Sequence, residues 1–172
     1  MEPEIVCKEA FTVLGVLRPV DLEQPGFFDE MWMKYFMPVE DLVRPYSLDQ
    51  AYYGVFFHPD DRSAAPDYLA GMAVRDCPDL DGIAVPGRRE KLVHRLVPAA
   101  RYAVYRCTFK DLGQASDFIL GQWLPASPYE YAHPLPGFEF YPPEAACSDS
   151  CVLIYIPVRE KISCVSPATP PG

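Results

Sequence analysis

Twenty prolines in a chain of 172 residues restrict where helices can form. This is more than twice the usual proline fraction of about 5%. A proline inside a helix removes a backbone hydrogen bond and clashes with the preceding turn. Two windows with apolar residues at helical spacing contain no proline, residues 26–37 and residues 111–124. We therefore predict two main helices, the first with a strongly aromatic face and the second ending at Pro125.

Most other windows are short and alternate apolar with polar residues, which is typical of strands. The predicted strands are residues 5–17, 51–58, 67–74, 92–97, 101–109, 137–142 and 151–158. The second and third of them should form a hairpin. The last is a nearly continuous apolar run and should lie centrally in a sheet. Asp111 is predicted to cap the second helix, with Gln114 in the reciprocal position of a capping box.

The order strand, helix, strand, strand occurs twice along the chain. We therefore predict an α+β fold, in which an antiparallel sheet and two main helices form tandem modules with pseudo-twofold symmetry. The modules span about residues 3–76 and 88–159 of a single domain at 1–160, and residues 161–172 should be a disordered tail. The helices should cover one side of the sheet and leave a ligand groove on the other.

Composition and charge exclude several classes of function. The net charge of −9 and pI near 4.7 are unfavourable for binding nucleic acid and favour cationic ligands instead. No apolar run approaches the roughly 18 residues of a membrane span, and the acidic N-terminus lacks the features of a secretory signal, so we expect a soluble cytoplasmic protein. The six cysteines include no C-x-x-C pair and should be free thiols. No metal site or cofactor is predicted.

Glu139 is the most informative candidate for a site residue. Alternation along its strand places Phe138 and Phe140 on one face and Glu139 with Tyr141 on the other. A carboxylate among aromatic rings is costly unless it is hydrogen-bonded, solvated or paired with a cation. Phenol hydroxyls can orient such a group, and ring faces attract cations. The alternative, a glutamate on an edge strand that points into solvent, stays open from the sequence alone.

Five stretches of the chain together resemble the GyrI-like small-molecule-binding domain family, which shares its fold with the effector-binding domains of AraC-type and MerR-type transcription activators. They are EIVCKEAFTVLGV at the start, MWMKYF on the first predicted helix, YYGVFF with YLAGMAV in the hairpin, ARYAVYRCTF before the helix end WLPASPYE, and PGFEFYPP with LIYIPV at the finish. The order and spacing of these stretches carry the resemblance, which covers residues 4–159. We expect a free-standing member, because the chain has no room for a DNA-binding helix-turn-helix module.

The resemblance implies a pseudo-twofold groove in which a glutamate lies among aromatic rings, and ligands that are often cationic, planar or amphipathic. That glutamate corresponds to Glu139. The candidate ligand-binding residues are Glu139, Tyr141, Trp32, Tyr35, Tyr53, Tyr102 and Trp123. The rings of the first helix, Trp32 and Tyr35 included, could equally serve only the core.

Three functions remain open at this point. The first is a free-standing protein that binds hydrophobic or cationic small molecules. The second, by resemblance, is a hydrolase that opens the cyclopropane of cyclopropanoid genotoxins, with Glu139 positioning or activating water and Tyr141 polarising the oxygen that gains charge. The third is an interaction protein resembling gyrase inhibitors.

No catalytic pair is indicated by the histidines His58, His94 and His133, which are isolated in the sequence. The oligomeric state is not predicted.

Overall fold

A computed structural model describes residues 2–61, 63–76, 79–144 and 149–163. Its strands are β1 (Glu4–Lys8), β2 (Phe11–Pro19), β3 (Tyr52–Phe57), β4 (Asp67–Val74), β5 (Leu92–Val97), β6 (Ala100–Thr108), β7 (Tyr129–Tyr131), β8 (Gly137–Tyr141) and β9 (Cys151–Glu160). The strand order in the sheet is β1-β6-β9-β8-β3-β4-β2-β5, with β7 paired to β9, and every pairing is antiparallel. The predicted α+β fold with an antiparallel sheet and two main helices is confirmed.

The strand predicted over residues 5–17 is two strands, β1 and β2. β1 pairs with β6 and β2 pairs with β5, and the register continues from Lys8 opposite Ala100 to Phe11 opposite Val97. The four strands thus form one long ribbon that both halves of the chain share. It is interrupted at Glu9-Ala10 and at Pro98-Ala99, where the proline has no N–H to give to the ladder. The first half therefore reads strand, strand, helix, strand, strand, and the second half has the same order with one further strand, β7, directly after its helix.

The other predicted strand relationships agree with the structure. β3 and β4 form the expected hairpin, with Tyr53 opposite Gly71. β9 lies between β6 and β8, near the middle of the strand order. The division into modules at about 3–76 and 88–159 stays a prediction.

Both helices are longer than predicted, and both continue past a proline. The first consists of Phe27–Glu30, a π-helical segment Met31–Phe36, and Met37–Val43. The second consists of a 3-10 turn Phe109–Asp111, then Leu112–Phe118, a π-helical segment Ile119–Trp123, and Leu124–Ala126. Pro38 and Pro125 each follow a π segment. Backbone bonds in such a segment run from i to i+5, so the regular ladder is already interrupted where the proline lacks its N–H.

The predicted capping box at Asp111 is wrong. The side chain of Asp111 makes no capping hydrogen bond to the helix backbone. Its carboxylate instead accepts a hydrogen bond of 2.6 Å from the hydroxyl of Thr108. The 3-10 turn that precedes the α-helical segment places Asp111 after the start of the helical run rather than before it.

Three hydrophobic clusters fill the core, and they lie on two faces of the sheet. Clusters around the first and second helix share one face, which includes Tyr68 and Ile154. The third cluster, with Leu69 and Phe138, lies on the opposite face, because neighbouring residues of a strand alternate between faces. The face away from the helices is therefore buried core, and the prediction that it holds the groove is wrong.

Several sequence predictions concern residues that the structure describes only in part. Cys7, Cys107 and Cys151 carry free thiols, whereas Cys77, Cys147 and Cys164 lie outside the described residues. The predicted tail also lies mostly outside them. None of the helices described is both long and apolar enough to cross a membrane.

Candidate functional site

Glu139 lies in the interior of the sheet, on the face that carries both helices. β8 runs between β3 and β9, with Gly54 and Ile154 directly opposite Glu139 on the two neighbouring strands. The residue is only 9% exposed. The alternative of a solvated glutamate on an edge strand is thereby excluded.

One oxygen of the Glu139 carboxylate accepts two hydrogen bonds from phenols. The Tyr141 hydroxyl donates to Oε2 at 2.6 Å, and the Tyr68 hydroxyl donates to the same atom at 3.2 Å. The indole Nε1 of Trp32 donates in turn to the Tyr68 hydroxyl oxygen at 3.2 Å. A chain of donors therefore runs from the first helix through β4 to the carboxylate on β8, and it fixes the orientation of the group.

The environment of Glu139 opposes its ionisation. Burial raises the pKa of Glu139 from 4.5 to about 7, while the hydrogen bonds from Tyr141 and Tyr68 act in the lowering direction. Burial and the nearby carboxylate raise the pKa of both Tyr68 and Tyr141 well above 10, so these phenols remain donors. Within the described part of the chain, no Lys, Arg or His forms an ion pair with Glu139. The protonated and ionised forms of Glu139 are therefore balanced near neutral pH, and the carboxylate has no cationic partner among the described residues.

Two small cavities flank this carboxylate on the helix-bearing face. The carboxylate cavity, of about 180 Å³, is lined by Phe56, His58, Ser116, Leu120, Tyr131, Gly137, Phe138, Glu139, Ile154 and Ile156. The tryptophan cavity, of about 170 Å³, is lined by Trp32, Met37, Tyr52, Phe109 and Tyr141. Glu139 and Tyr141 project from the same face of β8, so the two cavities lie side by side along one strand.

The helices contribute their irregular segments to the walls of these cavities. Trp32 lies in the first π segment and Leu120 in the second. π segments occur frequently at functional sites, because they displace side chains from the regular helical positions. Met37, Phe109 and Leu120, which line the cavities, are apolar and 36–46% exposed. The site therefore has an apolar rim around a buried charge.

The structure brings together three of the predicted site residues, Glu139, Tyr141 and Trp32. The Trp32 ring packs edge-on against the Tyr141 ring, with 5.6 Å between centroids. Tyr35 is buried elsewhere. The guanidinium groups of Arg18 and Arg88 lie over its ring, at 4.3 and 4.8 Å from the ring centre.

The remaining predicted residues line neither cavity. Tyr53 and Tyr102 pack against Phe138 on the opposite face of the sheet, with centroid distances of 5.8 and 5.3 Å. Trp123 stacks on Tyr129 beside the second helix, at 6.3 Å and an interplanar angle of 19°.

Sequence reasoning missed Tyr68, the second donor to Glu139. Alternation within residues 67–74 could have shown that Tyr68 lies on the same face of its strand as Ala70 and Met72. The register that brings this face to Glu139 runs through β3, which pairs with both β4 and β8. That pairing of distant segments has no local signal.

The fold and a match to a family model together place this protein in an effector-binding class. Residues 4–158 match the model of the Cass2 family, described as integron-associated effector binding protein. The chain therefore belongs to the Cass2 family, and the resemblance to GyrI-like domains is confirmed. A search among curated proteins gave no match.

Three solved structures illustrate the shared fold. SAV2435 bound to tetraphenylphosphonium has a TM-score of 0.67 and 13% identity, over 92% of this chain and 94% of that one. The C-terminal domain of EcmrR has a TM-score of 0.65 and 15% identity, over 94% and 100%. The integron cassette protein VCH_CASS2 of Vibrio cholerae has a TM-score of 0.62 and 20% identity, over 92% and 97%. At these identities the likeness concerns the fold.

Proposed function

We propose that this protein binds hydrophobic organic cations, planar or amphipathic in shape, between its two helices, with Glu139 as the counter-charge. The observation that carries the proposal is the buried carboxylate, oriented by two phenols and lacking a cationic partner in the described part of the chain. A charge in such a position is unfavourable unless a partner arrives. A cationic ligand would supply that partner.

Electrostatics favours a cation over an anion or a neutral molecule. A bound positive charge stabilises the ionised form of Glu139 and so lowers its pKa. The net charge of −9 adds an attractive field for cations over the whole protein. Ligand binding should therefore release the proton that Glu139 holds in part of the molecules near neutral pH.

The rings and apolar walls favour an aromatic or amphipathic ligand. Trp32 and Tyr141 offer ring surfaces next to the carboxylate, and a cation over a ring gains roughly 0.5–2 kcal/mol. The rest of both cavities is mainly apolar. Contacts of this kind select for charge and hydrophobicity rather than for one exact shape, so we expect a broad range of ligands with micromolar affinity.

The size of the cavities indicates that large ligands must widen the site. Each cavity is smaller than the roughly 300–1,000 Å³ of pockets that hold drug-sized molecules. Met37, Phe109 and Leu120 can move outward at low cost, because each is partly exposed. A cation with several rings would occupy both cavities with its charge next to Glu139.

One observation supports hydrolysis as a second candidate function. A carboxylate with a pKa of about 7 is suited to act as a general base near neutral pH, because the best base has a pKa close to the working pH. In that case Glu139 would remove a proton from water, and Tyr141 would donate to the oxygen that gains charge. Mass analysis of ligands after incubation with the protein would detect any product.

Two probes of the same shape and opposite charge test the binding proposal. Tetraphenylphosphonium and tetraphenylborate would each be titrated into the protein by calorimetry at about pH 8, where Glu139 is mostly ionised. We expect the cation to bind at least tenfold more tightly than the anion, a difference of about 1.4 kcal/mol or more. Equal affinities, or tighter binding of the anion, would refute the proposal.

A further inference from the structure

A wider cavity adjoins the carboxylate cavity and differs from it in chemistry. This histidine chamber, of about 490 Å³, is lined by His58, Pro59, Ala64, Leu120, Glu130, Tyr131, His133 and Arg159. Three of these residues, His58, Leu120 and Tyr131, also line the carboxylate cavity. A molecule bound at Glu139 therefore has a direct neighbouring space into which a substituent can extend.

The fold assembles this chamber from residues that are distant in sequence. His58 directly follows β3, Tyr131 ends β7, and His133 lies in the connection from β7 to β8. The rings of the two histidines are 5.5 Å apart, and His58 packs edge-on against Tyr131 at 5.3 Å. Histidines that are isolated in the sequence thus form a pair in the structure.

The hydrogen bonds around Tyr131 define which ring nitrogen of His58 carries a proton. The Tyr131 hydroxyl donates its one proton to the carbonyl oxygen of Leu135 at 3.1 Å. It must then accept in its contact of 2.8 Å with His58 Nε2, so that this nitrogen carries a proton. The second nitrogen of His58, Nδ1, makes no hydrogen bond to the described residues, and the same holds for both ring nitrogens of His133.

We propose that the histidine chamber is a second subsite that takes an anionic end group, a carboxylate, of a ligand whose aromatic cation is held at Glu139. The preferred ligands are then elongated zwitterions rather than simple cations. The inference rests on the function proposed above and specifies the chemistry of its ligands further.

The charges that face the chamber fit an anion. Arg159 donates through Nε to the carboxylate of Glu130 at 2.6 Å, so the acidic residue of the chamber is already paired, whereas the other guanidinium nitrogens of Arg159 can still donate. Protonation of His58 at Nδ1 and of His133 would supply further donors. Tyr131, the remaining titratable residue of the wall, has its hydroxyl engaged as described.

The empty chamber disfavours the charged form of His58. Burial, and to a lesser degree the neighbouring His133, lower the pKa of His58. An anion bound beside the two rings reverses this effect, because a negative charge stabilises a protonated histidine. Free anions are repelled by the net charge of −9, so the carboxylate must arrive attached to a group that the protein attracts.

Two phosphonium probes with matched tails test the subsite. (4-Carboxybutyl)triphenylphosphonium and (5-hydroxypentyl)triphenylphosphonium share their cationic head and differ in the end of the tail. Their dissociation constants would be measured by calorimetry at about pH 6 and about pH 8.5, on either side of ordinary histidine titration. We expect about tenfold tighter binding of the carboxylate probe at the lower pH, the effect of one charge-assisted hydrogen bond, and a smaller preference at the higher pH.

The ratio of the two constants isolates the tail, because ionisation of Glu139 affects both probes equally. In the double variant with His58→Gln and His133→Gln, the ratio should fall to about one at both pH values while the hydroxyl probe keeps its affinity. The single variant His133→Gln, which removes no hydrogen bond to a described residue, provides the same test if the double variant does not fold. His94→Gln, on β5 and outside the chamber, is the control and should keep the full preference.

The outcomes separate this inference from the function on which it rests. Equal affinity of both probes in the natural protein, with binding that still depends on Glu139, would overturn the subsite alone. A carboxylate preference that persists after loss of both histidines would also overturn it. Absence of binding by either probe would overturn the proposed function together with the subsite.

Discussion

Gly54 on β3 lies directly opposite Glu139 on β8, and its lack of a side chain makes room for the hydroxyl of Tyr68. A Cβ atom built at Gly54 would overlap with that hydroxyl and would lie 3.0 Å from Glu139 Oε2. The glycine therefore permits the hydrogen bond between Tyr68 and Glu139. The conformation at this residue is ordinary for a strand, so space and not backbone freedom explains the glycine.

Substitution of Gly54 should disrupt both stability and the site. Tyr68 is fully buried and packs against Phe28 and Phe56, so its ring cannot move away freely. We expect Gly54→Ala to lower the free energy of unfolding by about 1–3 kcal/mol, the usual range for overpacking. Denaturant unfolding would measure the change. Gly113→Ala, in the second helix where a Cβ meets no atom within 4 Å, is the matched control and should leave the protein equally stable or more stable. A Gly54→Ala protein as stable as the natural one would contradict the close contact.

The raised pKa of Glu139 makes a prediction about stability against pH. Below pH 4.5 the group is protonated in both folded and unfolded chains, and it contributes no penalty. Between 4.5 and about 7 the unfolded chain loses the proton first, so the folded state becomes progressively less favoured as the pH rises. Glu139→Gln removes this effect. The free energy of unfolding of the variant, relative to that of the natural protein, should thus increase by on the order of 2–3 kcal/mol when the pH rises from about 5 to about 8. One pKa unit corresponds to about 1.4 kcal/mol.

Unfolding curves of both proteins at the two pH values test this prediction. A difference in stability that stays constant with pH would show that Glu139 titrates normally. A variant that becomes less stable than the natural protein as the pH rises would mean that the carboxylate has a favourable partner in the free protein.

The sequence was sufficient to place Glu139 and Tyr141 on one face of a strand, because alternation within a strand is local. It was also sufficient to predict the two helices and most strands. It did not show that β1 and β2 are separate strands, because the interruption between them lies opposite Pro98, in the distant segment that joins β5 and β6. The position of the groove depended on which face each helix covers, and that follows from contacts between distant segments.

The candidate aromatic residues show the same limit. Tyr53 and Tyr102 belong to strands with the right composition, yet they project to the opposite face from Glu139. Tyr68 projects toward Glu139 but belongs to a strand that does not pair with β8. Periodicity gives the face of a residue within its own strand, whereas the site depends on the register across three strands.

Tyr141 should set the affinity for cations through its hydroxyl. Tyr141→Phe keeps the ring but removes the 2.6 Å hydrogen bond, so the pKa of Glu139 should rise further. We expect tetraphenylphosphonium to bind about 3–10-fold more weakly at pH 7, because a smaller fraction of Glu139 is then ionised, and to recover most of that loss at about pH 9. Tyr53→Phe, which removes a hydrogen bond to Asp49 on the other face, is the control and should not change binding. Equal losses in both variants would contradict a specific role of Tyr141.

Trp32 and Trp123 are the two tryptophans of the chain, and we expect a ligand to distinguish them. Trp32→Leu removes a ring wall beside Tyr141 and should weaken tetraphenylphosphonium binding about 5–30-fold, equivalent to 1–2 kcal/mol. Trp123→Leu should leave the affinity unchanged, because Trp123 stacks on Tyr129 outside the cavities. In the Trp123→Leu protein all tryptophan fluorescence comes from Trp32, and the ligand should still change it. A larger loss in Trp123→Leu than in Trp32→Leu would place the ligand elsewhere.

The pH dependence of cation binding in the natural protein and in Glu139→Gln tests the central claim most directly. Tetraphenylphosphonium affinity would be measured by calorimetry from about pH 5 to pH 9. In the natural protein we expect affinity to rise with pH, because the ionised fraction of Glu139 grows, and to level off above the pKa of about 7. In Glu139→Gln the affinity should be nearly independent of pH and about 5–100-fold weaker at pH 8, the cost of one lost charged partner. Identical curves for the two proteins would show that Glu139 is not the counter-charge of the ligand.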